Sequence, residues 1–239
     1  MKHTKITFFT IMSIAAALTF TSCGADASFT ANTDKSTNIE VNLNFGQAIS
    51  NTLKALTGSG DFSKMLSEGD LSSAFEKSDL TLAKAKWISQ TELTLQGKIA
   101  APEKQTILLT DKGLKIKDFV NCQSNSLELN LSPDTIQGLV SALPEDSQYM
   151  LDLFMAPVFT GEAMSADEYL MLLSSVYGKD IGDELKAASI NFKMTCPAGK
   201  KLLSAQGKSI RKNTNSAQVS LPLVDFLVLS SPLNYKITW

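Results

Sequence analysis

Histidine is almost missing from this 239-residue chain: the single one is His3, at the extreme amino terminus. With it go the commonest general base, every Ser-His-Asp or Cys-His arrangement and every histidine-ligated metal site in the body of the chain. Arginine is represented by Arg211 alone, which argues against nucleic-acid recognition. Cys122 and Cys196 without histidine do not complete a structural zinc site by themselves, and no metal or other cofactor is expected. No Walker loop, EF-hand loop or G-x-S-x-G elbow is present. Gly58-Ser59-Gly60 lacks the third glycine of a dinucleotide loop and reads as a linker. Beyond residue 22 no apolar run approaches the eighteen or so residues of a membrane-spanning helix.

What is present begins with an export signal. Lys2, His3 and Lys5 form a basic stub, residues 6–20 are uncharged, and Thr21-Ser22 precede Cys23. Fifteen residues make only about 22 Å of helix, short of a ~30 Å hydrocarbon core, so a permanent span is the weaker reading. Phe20-Thr21-Ser22-Cys23 resembles the bacterial lipobox, with Phe20 where leucine is common. That resemblance implies that diacylglycerol is attached at Cys23 and that residues 1–22 are removed. Acyl chains bury at about 0.8 kcal/mol per methylene, and two or three hold a protein almost permanently on a bilayer. The partner so implied is a membrane, through a lipid anchor. Gly24 supplies no inner-membrane retention acid, which points to an outer membrane. An ordinary cleavage site beside an incidental cysteine is the plain alternative.

The remaining 217 residues suit one domain, and 44% hydrophobic residues in the whole chain are enough for a core. Residues 24–36 are polar and small, reading as a flexible tether ahead of a single domain over 37–239. Charge is unevenly spread: residues 118–184 hold twelve acids and one lysine, whereas 185–224 hold seven basic residues and no acid. Lys200, Lys201, Lys208, Arg211 and Lys212 are thus candidates for contact with anionic headgroups beside the anchor; otherwise they are a solvated face.

Alternation predicts strands over residues 38–45, 127–131, 189–196, 217–223 and 233–239, with another near Leu203. An extended stretch is expected over 87–99, and a hairpin around Asp111-Lys112-Gly113. Helical spacing predicts helices over about 46–56, 71–75 and 145–155, one starting at Ser132-Pro133, one at Ser165 with Glu168 completing a capping box, and one near 181–187. Asp61 is placed to cap another short helix. The expected fold class is α+β, a largely antiparallel curved sheet built from both ends of the chain with a central group of helices. Cys122 and Cys196 both follow strand-like sequence in an oxidising compartment; they are either a disulfide or two separately buried thiols.

The segments Cys196-Pro197-Ala198-Gly199-Lys200, Ser204-Ala205-Gln206-Gly207-Lys208 and Leu221-Pro222-Leu223-Val224-Asp225-Phe226-Leu227 resemble the end of the LppM-type domain of exported bacterial lipoproteins. The strand preceded by Asp34-Lys35-Ser36 resembles its opening. Ala198 stands between the family's proline and glycine, and Leu221 where an aromatic is expected. The resemblance implies an α+β domain with a curved sheet, for which lipid binding has been proposed, and it supplies no catalytic residue.

Carboxylate pairs such as Glu145-Asp146, Asp167-Glu168 and Asp183-Glu184 lie in expected first turns or polar helix faces, where acids are favoured electrostatically, so no enzyme is expected. The most suggestive cluster is apolar: Met150, Phe154, Met155, Phe159 and Met164. Methionine adapts to varied apolar ligands, so these residues are expected either to line a cavity for a lipid-like molecule or simply to fill the core. In the second case the chain is an envelope structural or protein-interaction module.

Overall fold

The computed structural model describes residues 23–76, 79–109, 113–141, 148, 154 and 156–239. They form an α+β fold with two mostly antiparallel sheets, as the strand and helix pattern leads one to expect. Strands β1 (Gly24–Ala31), β2 (Thr37–Asn44), β3 (Leu80–Trp87), β4 (Glu92–Ile99), β7 (Ser189–Thr195), β9 (Arg211–Lys212) and β10 (Ser216–Pro222) make a seven-stranded sheet in the order β3-β4-β2-β1-β7-β10-β9. Strands β5 (Val120–Cys122), β6 (Ser126–Leu131), β8 (Ser204–Gln206) and β11 (Leu233–Thr238) make a second sheet in the order β5-β6-β11-β8. Among the described residues the one parallel pairing is β1 with β7.

The largest correction concerns residues 24–36, expected as a tether. Gly24–Ala31 is instead the middle strand of the large sheet, paired along its whole length with β2 on one side and from Gly24 to Thr30 with β7 on the other. Small residues fit a central strand whose ladder hydrogen bonds are satisfied on both edges, and burial of Ala27, Phe29 and Ala31 supplies the apolar contact. Glycine is required at 24: a Cβ there would sit 2.5 Å from the Ser189 carbonyl oxygen. Asn32 and Ser36 close the β1–β2 turn, where Ser36 donates to Asp34 from both its hydroxyl and its backbone N–H. With Lys98 at 3.3 Å these bonds hold the Asp34 carboxyl down to about 2.

Helices α1 (Gln47–Thr57), α2 (Phe62–Met65) and α3 (Glu68–Glu76) fill the β2–β3 connection; α4 (Pro133–Ser141), α5 (Pro157–Thr160), α6 (Ala166–Tyr177) and α7 (Lys179–Ala187) follow β6; α8 (Leu223–Leu227) follows β10. Caps fall where the sequence puts them. Asp61 accepts from the Ser63 N–H at 3.1 Å, and Ser132 Oγ from the Thr135 N–H at 3.2 Å. Ser165 and Glu168 make the reciprocal capping box.

Two other elements differ from expectation. Residues 87–99 are not one extended stretch: Trp87 ends β3, Ile88 donates to the Glu92 carbonyl at 2.8 Å, and β4 starts after this tight turn. The hairpin expected around residues 111–113 falls partly outside the described residues. Its arms are not strands, since Ile116–Asp118 is a 3-10 turn, although the Leu109 N–H still donates to the Leu114 carbonyl at 2.7 Å. Most of the helix expected over 145–155 also lies outside the described residues.

The two sheets pack face to face over a shared core that includes Phe29, Phe192 and Val219 from one and Leu127, Leu129 and Ile237 from the other. A second core lies among the helices, with Leu53, Tyr169, Leu173, Ile181 and Leu185 buried together. Leu71 of α3 packs on Leu93 and Leu95 in a third, smaller cluster. The other face of the large sheet is polar and open, carrying Asn38, Glu40, Asn42, Thr94, Gln96, Lys98, Asn191 and Lys193.

Cys122 and Cys196 are both buried and both free, which removes the expected disulfide in favour of two separate thiols. The Cys122 thiol faces the Asn32 and Thr37 side of the β1–β2 turn. Cys196, past the end of β7, is held by its backbone N–H on the Asn215 carbonyl at 2.9 Å. Burial pushes both thiols above their ordinary range, which lowers their reactivity. Titration of protein unfolded without reductant is therefore expected to find both Cys122 and Cys196 reactive; loss of this pair of thiols would mean that a bridge had formed.

Candidate functional site

Cys23 stands immediately ahead of β1, at the end of the large sheet where Gly24 pairs with Asn44 and Ser189. It is only 4% exposed and belongs to the helical core. Burial raises its thiol pKa, a hydrogen bond with the Gly46 backbone works the other way, and the nearby Glu184 carboxylate adds to the rise. Glu184 is therefore not simply part of a polar helix face. It reaches from α7 to the start of α1, accepting from the Ala48 N–H at 2.8 Å and the Ile49 N–H at 3.1 Å. This carboxylate caps a helix whose own cap residue, Gly46, has no side chain to do so. Gly46 leaves the room: a Cβ there would lie 2.3 Å from the Glu184 carboxyl carbon. Nothing local in the sequence signals this contact, because its partners are separated by 136 positions.

Four of the five basic candidates are not beside Cys23. Because β1 runs parallel to β7, Cys23 and Ser189 mark one end of the sheet and Thr195 the other. Lys200 and Lys201 follow the turn after β7, while Arg211 and Lys212 pair with Gln218 and Ala217 near that same far end. At about 3.3 Å per residue, β7 separates the two ends by roughly 20 Å, more than two Debye lengths at physiological salt. Lys208 differs: it lines a groove of about 400 Å³ with Val219, Pro222 and Asp225, and Pro222 pairs with Ser189 at the Cys23 end of the sheet. Lys200, Lys201, Arg211 and Lys212 therefore form a solvated cluster distant from Cys23, which corrects the expectation that they lie beside the anchor.

Of the apolar candidates, Met150 and Met155 lie outside the described residues. Phe154, Phe159 and Met164 are half-buried and pack against the helical core. Its centre is filled: Ala156, Val158, Tyr169 and Leu173 have no exposed surface. The Tyr169 hydroxyl donates to the Phe154 carbonyl at 2.8 Å, which meets the polar requirement of a ring buried there, and burial drives its pKa upward. The Phe154 ring lies 6.2 Å from that of Tyr177.

Three surface grooves lie elsewhere. One, of about 430 Å³, crosses the outer face of the four-stranded sheet. Another, of about 360 Å³, lies on the open face of the large sheet between Thr30, Asn38 and Lys98. The third is the groove holding Lys208. None of these three is lined by Phe154, Phe159 or Met164.

No family model matches the chain, and no curated protein does. Among solved structures, the folded domain of LppM from Mycobacterium tuberculosis is similar with a TM-score of 0.35 and 9% identity, over 92% of this chain and 91% of that one. An aminopeptidase N family protein from Idiomarina loihiensis gives the same score and identity over 90% of this chain, which spans 29% of its length. No helix among the described residues is long and apolar enough to cross a membrane.

Proposed function

We propose that this chain is the precursor of a bacterial envelope lipoprotein, anchored through Cys23 and acting by binding rather than by catalysis. The observation that carries the reading is the basic, apolar and small-residue sequence of residues 1–22 ending at a cysteine that directly precedes the first strand of the fold. Gly24 after that cysteine favours an outer membrane. Cys23 is buried, so a thioether-linked glyceride requires its side chain to turn outward from beside Gly46 and Glu184. Since β1 starts at Gly24, no slack separates the anchor from the domain, and the Cys23 end of the large sheet rests against the bilayer. The distal cations and the polar sheet face are then directed to other envelope components, the module reading that the filled centre of the helical core supports.

A second reading, binding of a lipid-like ligand between sheet and helices, is favoured by the half-buried grouping of Phe154, Phe159 and Met164. One measurement tests both readings. Intact and native masses of the protein extracted gently from its own host are expected to show loss of residues 1–22 and the added mass of an acylated glyceride. Recovery with the leader intact and no acyl mass would overturn the anchoring. A co-purifying lipid released only on unfolding would establish the second reading, and its absence would leave the interaction module.

A further inference from the structure

One end of the large sheet closes on a single row of residues. Ile88 donates to the Glu92 carbonyl at 2.8 Å, Glu92 pairs with Asn44, Asn44 with Gly24, Gly24 with Ser189, and Ser189 with Pro222. Cys23 and the β3–β4 turn therefore stand at the same end of the sheet. Three strand spacings, roughly 14 Å, separate β3 from β1.

The turn carries an apolar tip. Ile88 is 57% exposed, and residues 87–91, Trp-Ile-Ser-Gln-Thr, hold no charge. A single apolar side chain in water is ordinary, but this one stands on a fixed base. The Phe45 ring stacks on Phe62 at 4.2 Å and lies 6.1 Å from the Trp87 ring. The Trp87 indole N–H donates to the Leu66 carbonyl at 2.9 Å, and its backbone N–H to the Glu68 carboxylate at 2.9 Å. The Phe62 N–H donates to the Gln90 carbonyl at 3.1 Å. These bonds tie the turn to α2 and to the start of α3.

Trp87 is half-buried, and the exposed Lys86 precedes it. Tryptophan, a bare apolar side chain and a lysine in succession suit a lipid–water boundary. There the ring sits at headgroup level, the apolar group enters the acyl layer, and the ammonium reaches a phosphate on its long stem. The other corner of this end, after β10, differs: Asp225 is exposed, while Leu223 and Phe226 of α8 pack into both cores.

We propose that the β3–β4 turn is a second membrane contact beside the anchor, with Ile88 and the edge of Trp87 in the lipid interface and Lys86 on the headgroups. The proposal rests on anchoring at Cys23: two contacts at one end of the sheet fix the domain's orientation on the bilayer, where a single lipid-bearing residue leaves it free to pivot.

The chain's two tryptophans, Trp87 and Trp239, provide the test because they lie at opposite ends. Trp239 follows Thr238, whose carbonyl accepts from Leu203, and the neighbouring Leu202 donates to Thr214 in the turn between β9 and β10, at the end away from Cys23. The full mature protein is taken from host membranes, its acyl mass verified, and placed in vesicles of phosphatidylethanolamine and phosphatidylglycerol with brominated acyl chains. Trp239→Phe leaves Trp87 as reporter, and Trp87→Phe leaves Trp239. Bromination is expected to reduce Trp87 emission roughly twofold, as for a ring at headgroup level, and to leave Trp239 unchanged. Ile88→Asp, at an exposed turn position, is expected to remove most of the Trp87 quenching while acyl mass, flotation with vesicles and thermal midpoint persist. Acylated, vesicle-bound protein in which Trp87 is quenched no more than Trp239, or in which Ile88→Asp leaves the quenching intact, would overturn the proposal and leave the anchoring standing. Protein without acyl mass would instead overturn the anchoring, and the proposal with it.

Discussion

Replacing Cys23 with serine is expected to abolish incorporation of a labelled fatty acid and to shift the protein from the membrane to the soluble fraction. The sulfur is the nucleophile that a glyceride thioether needs, and serine at that position leaves no thioether to form. Without acyl chains, the attachment that remains is an uncleaved leader. Its fifteen-residue apolar run reaches only about 22 Å as a helix and is too short to hold a domain in a ~30 Å core. Two or three buried chains at about 0.8 kcal/mol per methylene hold almost permanently, so the partition is expected to change by orders of magnitude. Label that persists in the Cys23→Ser protein would place the acyl group elsewhere and remove the basis of the anchoring.

Phe29→Ala is expected to destabilise the domain by about 3–5 kcal/mol, the usual cost of emptying a buried aromatic site. Phe29 is 4% exposed, lies between Ile39 and Met194 on the neighbouring strands, and packs edge-on against Phe119 at 6.1 Å. At roughly 2–4 °C per kcal/mol for a domain of this size, the thermal midpoint should fall on the order of 10 °C. Ser28→Ala, on the open face of the same strand, is expected to change stability by no more than about 0.5 kcal/mol. The contrast decides whether residues 24–31 are structure or tether, because a tether would tolerate both substitutions equally. Equal midpoints for the parent and Phe29→Ala would displace β1 from the centre of the sheet.

That strand also shows why part of the fold is illegible in sequence. β2 and β11 announce themselves, since Ile39, Val41 and Leu43, or Leu233, Tyr235 and Ile237, alternate against polar residues. The stretch Gly24-Ala25-Asp26-Ala27-Ser28-Phe29-Thr30-Ala31 offers one large apolar residue and reads as linker. Neighbours on both sides make it a strand: a central position satisfies every ladder hydrogen bond and admits small side chains under a second sheet. The opposite error occurs at residues 87–99, where apolar content suggests continuity but a turn at Ile88 divides two strands.

The groove on the small sheet was hidden for a similar reason. Asn130 and Asn234 are 104 positions apart, and each alone is an ordinary polar residue on the outer face of a strand. Only the register of β6 against β11 makes them neighbours.

The sequence by itself determined what depends on composition and on nearest neighbours along the chain: a basic and then apolar segment ending at Cys23, the near absence of histidine, most strands and helices, and the caps at Asp61, Ser132 and Ser165. These follow from periodicity and from hydrogen bonds spanning three or four residues, which one stretch of chain contains in full. Tertiary structure decided the rest. It made residues 24–31 the centre of a sheet, set the Glu184 carboxylate on the start of α1, kept Cys122 and Cys196 apart, and sent the basic cluster to the end of the sheet away from Cys23. Each of these depends on which strands and helices become neighbours, and that choice is made by burying apolar faces together across the whole chain.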